Sequence, residues 1–194
     1  MALTDHMRII LASNSPRRRE LLAQMGVDFS IDVPDIDEHD ASTPQDTVRA
    51  LALQKARAVA ARHAGERAVI LSADTVVFAG EILGKPRDRE DARRMLTLLQ
   101  GRWHEVYTGV CALHVPDGRH EVRVECTRVR FAPLTGEQID RYIGTGEPMD
   151  KAGAYAIQGR AGMFVERIEG SSSNVVGLPM ATVRELLMAF GVLL

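Results

Sequence analysis

The residues with the chemistry to do work are cations and carboxylates, spread along the chain. Arg17-Arg18-Arg19 follow Ser15-Pro16, and Asp35-Ile36-Asp37-Glu38-His39-Asp40 forms an acidic stretch. Lys55 falls on an apolar helical stripe, Asp74 inside an apolar run, Lys85 before Pro86 and Gln158 before Gly159. Ser15 is a good N-cap, since its hydroxyl can accept a bond from an early helical N–H. Pro16 then takes the first helical position, where a missing N–H costs nothing. The arginines fall in the first turn, at the positive end of the macrodipole, where cations are mildly destabilising. Free N–H groups and guanidinium forks together make an anion site, and a polyphosphate is its natural occupant. A solvated basic turn is the plainer alternative. Mg²⁺ takes one or two carboxylates plus phosphate oxygens and waters, which gives the acidic stretch a role beside such a site.

The elements that must position these groups are legible from periodicity. Residues 7–12 read as a short buried strand, and 20–25 continue a helix with Leu21, Leu22 and Met25 on one side. A strand over 29–33 leads into the acidic loop. A long helix from Pro44 to about His63 carries the stripe Val48, Leu51/Ala52, Ala56 and Val59/Ala60. Lys55 lies on or beside that stripe, so it snorkels or points its ammonium into a cleft. The run 68–78 is apolar throughout and predicts a strand buried on both faces. A carboxylate inside it, Asp74, needs a partner, a metal or a raised pKa. A turn at 79–81 returns the chain to Lys85, held extended by the following proline. Asp88 caps a helix to about Leu99, closed by Gly101. Two long strands, 104–115 and 119–131, form a hairpin. Thr135-x-x-Gln138 is a capping box for a helix ending at Gly144. The glycine after Gln158 permits close backbone approach to a ligand, although a plain turn also explains it. A strand over 163–168, a loop over 170–174 and a helix from Pro179 to about Phe190 complete the chain. Strands and helices interleave without a strict βαβ rhythm, so the class is α/β with a mixed sheet, in a single domain.

Composition narrows the partners. With 194 residues, 45% hydrophobic, and a net charge of −2, the chain has no global pull toward nucleic acid or an anionic membrane. No stretch approaches the roughly 20 apolar residues of a membrane span, nor does the N-terminus carry a signal-peptide core. The expected compartment is the cytoplasm. Cys111 and Cys126 flank Pro116-Asp117-Gly118. In a tight hairpin they would sit diagonally, ~7–8 Å apart, too far for an unstrained disulfide, so both read as thiols. The six histidines show no zinc spacing.

Six stretches, in order along nearly the whole chain, resemble the Maf family of nucleotide pyrophosphatases. They are Ser13-x-Ser15-Pro16-Arg17-Arg18, Ser72-Ala73-Asp74-Thr75-Val76-Val77, Gly84-Lys85-Pro86, residues 103–110, residues 150–159, and Gly170 with residues 174–179. The family often has an aromatic near Ser172, where this chain has a serine run. The resemblance implies an inosine-triphosphate-pyrophosphatase-like fold, an elongated mixed β-sheet with flanking helices forming two lobes around a cleft. It implies hydrolysis of a nucleoside triphosphate to the monophosphate and diphosphate with Mg²⁺ or Mn²⁺, and a homodimer as a common assembly. It assigns Asp74 as the general base, with Ser13, Arg17, Arg18, Glu38, Lys55 and Lys85 around the phosphates or metal. Glu38 and Asp74 are the carboxylates able to hold metal, and which of them activates water is left open. Arg17, Thr75 and Gln158 mark the branch that prefers dTTP and UTP over 7-methyl-GTP. The competing reading is a non-catalytic nucleotide-binding regulator, given the family's link to inhibition of septum formation.

Three structural expectations follow. Side chains at adjacent strand positions point to opposite faces, so Asp74 and Thr75 can share a site if the strand ends, bends or bulges there. Arg18, a cation at the wrong helix end, should be dispensable for stability. Gln158 should present a free amide to the imide edge of uracil or thymine.

Overall fold

The computed structural model describes residues 7–192. Strand β1 (Arg8–Ala12) runs into helix α1 (Pro16–Gln24), which Ser15 caps by accepting the Arg18 N–H. Strand β2 (Phe29–Ile31), helix α2 (Pro44–Ala60) and strand β3 (Ala68–Phe78) follow. Then come β4 (Ile82–Leu83), α3 (Arg89–Leu99) and the long hairpin of β5 (Trp103–His114) and β6 (His120–Phe131). Helix α4 (Gly136–Gly144) opens with the capping box expected at Thr135 and Gln138. Three 3₁₀ turns, at Glu147–Asp150, Ala152–Ala154 and Arg160–Phe164, lead to β7 (Val165–Glu169), α5 (Ser172–Val176) and α6 (Met180–Ala189).

The seven strands form one mixed sheet in the order β2-β1-β3-β5-β6-β7, with β4 also on β3. Strands β1 and β2 are parallel to each other and β1 to β3, while β3, β5, β6 and β7 are antiparallel in turn. The sheet holds two lobes. In one, α1 and α6 cover one face of β1 and β3 through Leu21, Leu22, Leu186 and Leu187, and α2 covers the other through Ala52, Ala56 and Val59. In the other, α3 and α4 bury Leu96, Leu99, Tyr142 and Ile143 against Val106, Val129 and Phe131.

The edge of β3 explains the space between the lobes. Strand β1 pairs with β3 only as far as Ala12 opposite Ser72, and β4 pairs with it only from Val77. Residues 73–76 therefore form a length of strand edge with no neighbour on that side. The chain leaves the sheet after Ala12 because Ser13, Ser15 and Pro16 start a helix instead. A cleft of about 570 Å³ opens over this gap, within the usual range for a small-molecule site.

Several expectations change in detail. The segment 170–174 is not a loop throughout. Ser171 accepts the Asn174 N–H and starts α5, whose five residues are too few to show an amphipathic pattern. Strand β7 begins at Val165, because a 3₁₀ turn takes up Arg160–Phe164. The β5–β6 register pairs Cys111 with Val122 and Cys126 with Tyr107, farther apart than a diagonal pair, because the ladder closes at His114 and Arg119 and is centred between Pro116 and Asp117. Both cysteines are free thiols. Among the described residues, no helix is long and apolar enough to cross a membrane.

Candidate active site

The floor of the cleft is the uncovered edge of β3. Asp74 is buried, and its Oδ1 accepts a 2.6 Å bond from Lys55 Nζ. Lys55 comes from α2 on the same face of the sheet, and it too is buried. Helix α2 sits low on the sheet because Gly109, opposite Asp74 in the register, has no side chain; a Cβ there would overlap the Val48 carbonyl. The ammonium also reaches Glu38 Oε1 at 2.7 Å, so one lysine bridges two carboxylates. Glu38 belongs to the acidic loop and is about half exposed.

These two acids are pushed in opposite directions. Burial raises the pKa of Asp74 above the ordinary carboxylate range, with the charges of Lys55 and Arg18 opposing it. Burial also raises that of Glu38, but there the Lys55 hydrogen bond and charge, helped by Lys85 and Arg18, win and hold it below the usual value. Two acids driven apart by their surroundings are the pattern of an acid–base assignment.

On the opposite face, Thr75 also lines the cleft. The expected break in β3 is absent: the strand runs unbroken, with Asp74 opposite Gly109 and Thr75 opposite Thr108. Both side chains reach the same cleft because the edge between them is bare, and the cleft wraps around it. Thr75 Oγ1 accepts a 3.0 Å bond from Arg18 Nη2 and lies 2.9 Å from Thr108 Oγ1.

Arg18 is more enclosed than its position in the first helical turn suggested. Nε donates to the Gly177 carbonyl at 2.8 Å, Nη2 to Thr75, and Nη1 to Ser13 Oγ at a long 3.5 Å. It ties α1 to β3 and to the end of α5, leaving two of its five N–H donors for a ligand. Desolvation lowers its pKa, with Asp74 opposing. Expendability is therefore the wrong expectation for this residue. Ser13 is buried, and its hydroxyl also accepts the Ser15 N–H, which closes the turn between β1 and α1. Arg17 lies across the cleft from Asp150, at 4.0 Å from Oδ2. Arg19 is exposed outside the cleft.

Lys85 and Gln158 are exposed side chains lining the cleft, and among the described residues neither side chain makes a hydrogen bond within the protein. The structure thus brings Ser13, Arg17, Arg18, Glu38, Lys55, Asp74, Thr75, Lys85 and Gln158 to one cavity. Apolar lining comes from Val106, Tyr155, Ile157, Val175 and Val176.

The family model described as Maf-like protein matches residues 8–190. The chain belongs to the Maf family. Its sequence is 53% identical over 188 residues to a dTTP/UTP pyrophosphatase of Symbiobacterium thermophilum, covering 95% of this chain and 94% of the relative. A dTTP/UTP pyrophosphatase of Anaeromyxobacter dehalogenans is 53% identical over 189 residues, with 95% and 94% covered. The fold of this Maf chain is shared with a HAM1 protein from Coxiella burnetii, with a TM-score of 0.51 and 16% identity over 94% of this chain and 99% of that one.

For a metal, the Maf cleft offers hard oxygen donors only. No group of three or more His, Cys, Asp or Glu side chains suited to a metal occurs among the described residues. Glu38 and Asp74, meeting at one ammonium, supply the one or two carboxylates that Mg²⁺ or Mn²⁺ takes when phosphate oxygens and water complete its shell. The donor set fits such an ion. Sequence reasoning gave no role to Asp150, Thr108 or the Gly177 carbonyl. All three stand inside stretches already quoted, but a contact between distant residues leaves no local pattern.

Proposed function

We propose that the protein hydrolyses dTTP and UTP to the nucleoside monophosphate and diphosphate. The observation that carries this reading is Lys55 held between buried Asp74 and half-exposed Glu38 at the bottom of a cleft ringed by Arg17, Arg18 and Lys85. Its relatives named dTTP/UTP pyrophosphatase support the substrate class.

A triphosphate is a polyanion, and its cleavage is catalysed mainly by positioning and charge neutralisation. Arg17 and Lys85 are free to turn toward phosphate oxygens, and Arg18 offers its two remaining donors from a fixed position. Asp74, whose burial strengthens its hold on a proton, accepts the proton of the attacking water as general base. Glu38, kept ionised by Lys55, and Asp74 are the residues that would hold Mg²⁺ or Mn²⁺, which when bound neutralises phosphate charge. A binder without turnover would need no buried base at the floor.

Gln158 reads the base. Uracil and thymine present two carbonyl acceptors flanking an N–H donor, and an amide answers that edge with a paired bond. Cytosine would leave groups unpaired, at ~1–3 kcal/mol, or roughly tenfold to hundredfold in selectivity. The test is kcat/KM for dTTP, UTP, CTP and 7-methyl-GTP with Mg²⁺ or Mn²⁺, on wild type and Gln158→Ala. The reading expects dTTP and UTP to lead in wild type and the variant to lose mainly this preference. Absence of diphosphate release with every nucleotide would favour the regulator instead.

A further inference from the structure

Gln158 stands on a short loop, and both flanks of that loop lead to one carboxylate. Glu147 lies at the start of the 3₁₀ turn after α4. Its two oxygens each accept the Arg160 N–H at 3.1 Å, and the Ala161 N–H and the Tyr142 hydroxyl are close enough to favour its ionised form. The Tyr142 oxygen in turn accepts the Ala156 N–H at 3.3 Å. Residues 157–159 are thus tied on one side through Tyr142 and on the other directly. Gly159 fits the same picture. A Cβ at this position would overlap the Glu147 carboxylate and push it aside, so the close approach at this glycine comes from the protein itself. Tyr142 is itself rigid, buried in α4 with its ring edge-on to Phe164. The phosphate side meets the same turn at its other end, where Asp150 faces Arg17 and Lys151 Nζ turns to Asp150 and to the Glu147 backbone carbonyl, so the Glu147 side chain takes no part in that contact.

We propose that Glu147 is a positioning residue for base selectivity, a template on which the loop carrying Gln158 is moulded. The inference rests on Gln158 reading the base. Losing the carboxylate frees the Arg160 N–H and removes the group beside Tyr142, which lets the Gln158 amide wander while the cations and Asp74 stay in place. Its signature is a loss of discrimination without a loss of chemistry.

The experiment compares wild type, Glu147→Ala, Glu147→Gln, Gly159→Ala, Gln158→Ala and the Glu147→Ala/Gln158→Ala double variant. For each, kcat and KM are measured with dTTP and CTP, together with competitive inhibition by inorganic triphosphate, which has no base. Glu147→Ala is expected to lower the dTTP:CTP ratio of kcat/KM by at least about fivefold, the value of one lost hydrogen bond. The loss should lie in KM for dTTP, with kcat and inorganic triphosphate inhibition within about twofold of wild type. Glu147→Gln, which keeps one acceptor, should recover part of the ratio. Gly159→Ala should reproduce the defect by displacing the carboxylate rather than removing it, and it carries the test if Glu147→Ala does not fold. The double variant should discriminate no worse than Gln158→Ala alone. A wild-type ratio in Glu147→Ala and Gly159→Ala, with a lowered one in Gln158→Ala, overturns the role of Glu147. Equal losses for dTTP, CTP and inorganic triphosphate overturn it as well. If Gln158→Ala keeps the wild-type ratio, the reading of Gln158 fails on its own. The role of Glu147 then survives only if its variants still lose the ratio, which would make the loop backbone the reader.

Discussion

Replacing Arg18 by alanine should destabilise the ligand-free protein as well as weaken nucleotide binding. Two of its bonds are short, 2.8 Å to the Gly177 carbonyl and 3.0 Å to Thr75; the third, at 3.5 Å, is long and adds little stability. A hydrogen bond from a charged donor contributes ~1.5–3 kcal/mol, so the pair contributes ~3–6 kcal/mol. Arg18 is half-buried, so water reaches the vacated partners, and the low end applies. Removing a cation from a helix N-terminus returns ~0.3–1 kcal/mol. The net cost is ~2–3 kcal/mol. Unfolding entropy of ~2.1 cal/mol/K per residue, over the 194 residues, gives ~0.4 kcal/mol/K and a Tm drop of about 5–7 °C. Differential scanning calorimetry without nucleotide reads this directly. Arg17→Ala is the internal comparison: its single 4.0 Å approach to Asp150 predicts a change below about 1–2 °C. An Arg18→Ala protein that melts with wild type, while binding nucleotide poorly, would refute the strut and leave Arg18 as a phosphate cation alone.

Asp74→Asn keeps an acceptor for Lys55 but removes the base, so kcat should fall by ~10²–10⁴ with little change in Tm; most of the activity surviving would move the base to Glu38. Lys55→Met leaves burial and the Glu38 charge at Asp74 opposed only by Arg18, which lifts its folded pKa further above the unfolded value of about 4. An acid that binds its proton more tightly when folded loses stability as pH rises between those two values. Metal-free melts of this variant should therefore fall progressively below wild type as pH rises past the wild-type folded value of Asp74, and a pH-independent gap would contradict the bridging role. Asp91 accepts bonds from the Arg87 N–H and from both the Arg87 and Arg94 guanidiniums, and the Arg87 bonds draw its pKa down to about 2. Its support of α3 should be complete above about pH 4 and disappear as pH falls from about 4 to about 2, and Asp91→Ala should cost ~1–2 kcal/mol in denaturant melts at pH 7.

The parts of the fold legible in the sequence are those written locally. Ser15-Pro16 announces α1, the stripe from Val48 to Val59 announces α2 with Lys55 on it, and the apolar run around Asp74 announces β3. Pairing between strands is not written this way. The sequence alone carries no sign that β1 stops opposite Ser72 and β4 starts at Val77, and this gap replaces the bulge expected at Asp74 and Thr75. The same limit applies to side chains whose partners are distant. The contact of Arg18 with Gly177 spans 159 positions. For the Glu147 carboxylate, the partners are backbone amides and a tyrosine hydroxyl, which leave no charge pattern to find. Glycine was a partial guide: Gly159 signalled a close approach, but the group approaching it belongs to the protein.

The β5–β6 hairpin bears on how the cleft can behave over time. Each strand is 12 residues long, ~40 Å at ~3.3 Å per residue, and the two pair without a register shift from one lobe to the other. A hinge needs a few residues able to absorb a large change in backbone angles, and a continuous ladder offers none. The two walls of the cleft are joined by a girder. Large-scale opening and closing is suppressed, so little binding energy is diverted into reorganising the protein when a nucleotide arrives. What remains mobile is the fringe: the acidic loop bearing Glu38 and the long side chains of Arg17 and Lys85. Adjustment to a nucleotide in such a molecule falls to side chains and loops on a stationary frame.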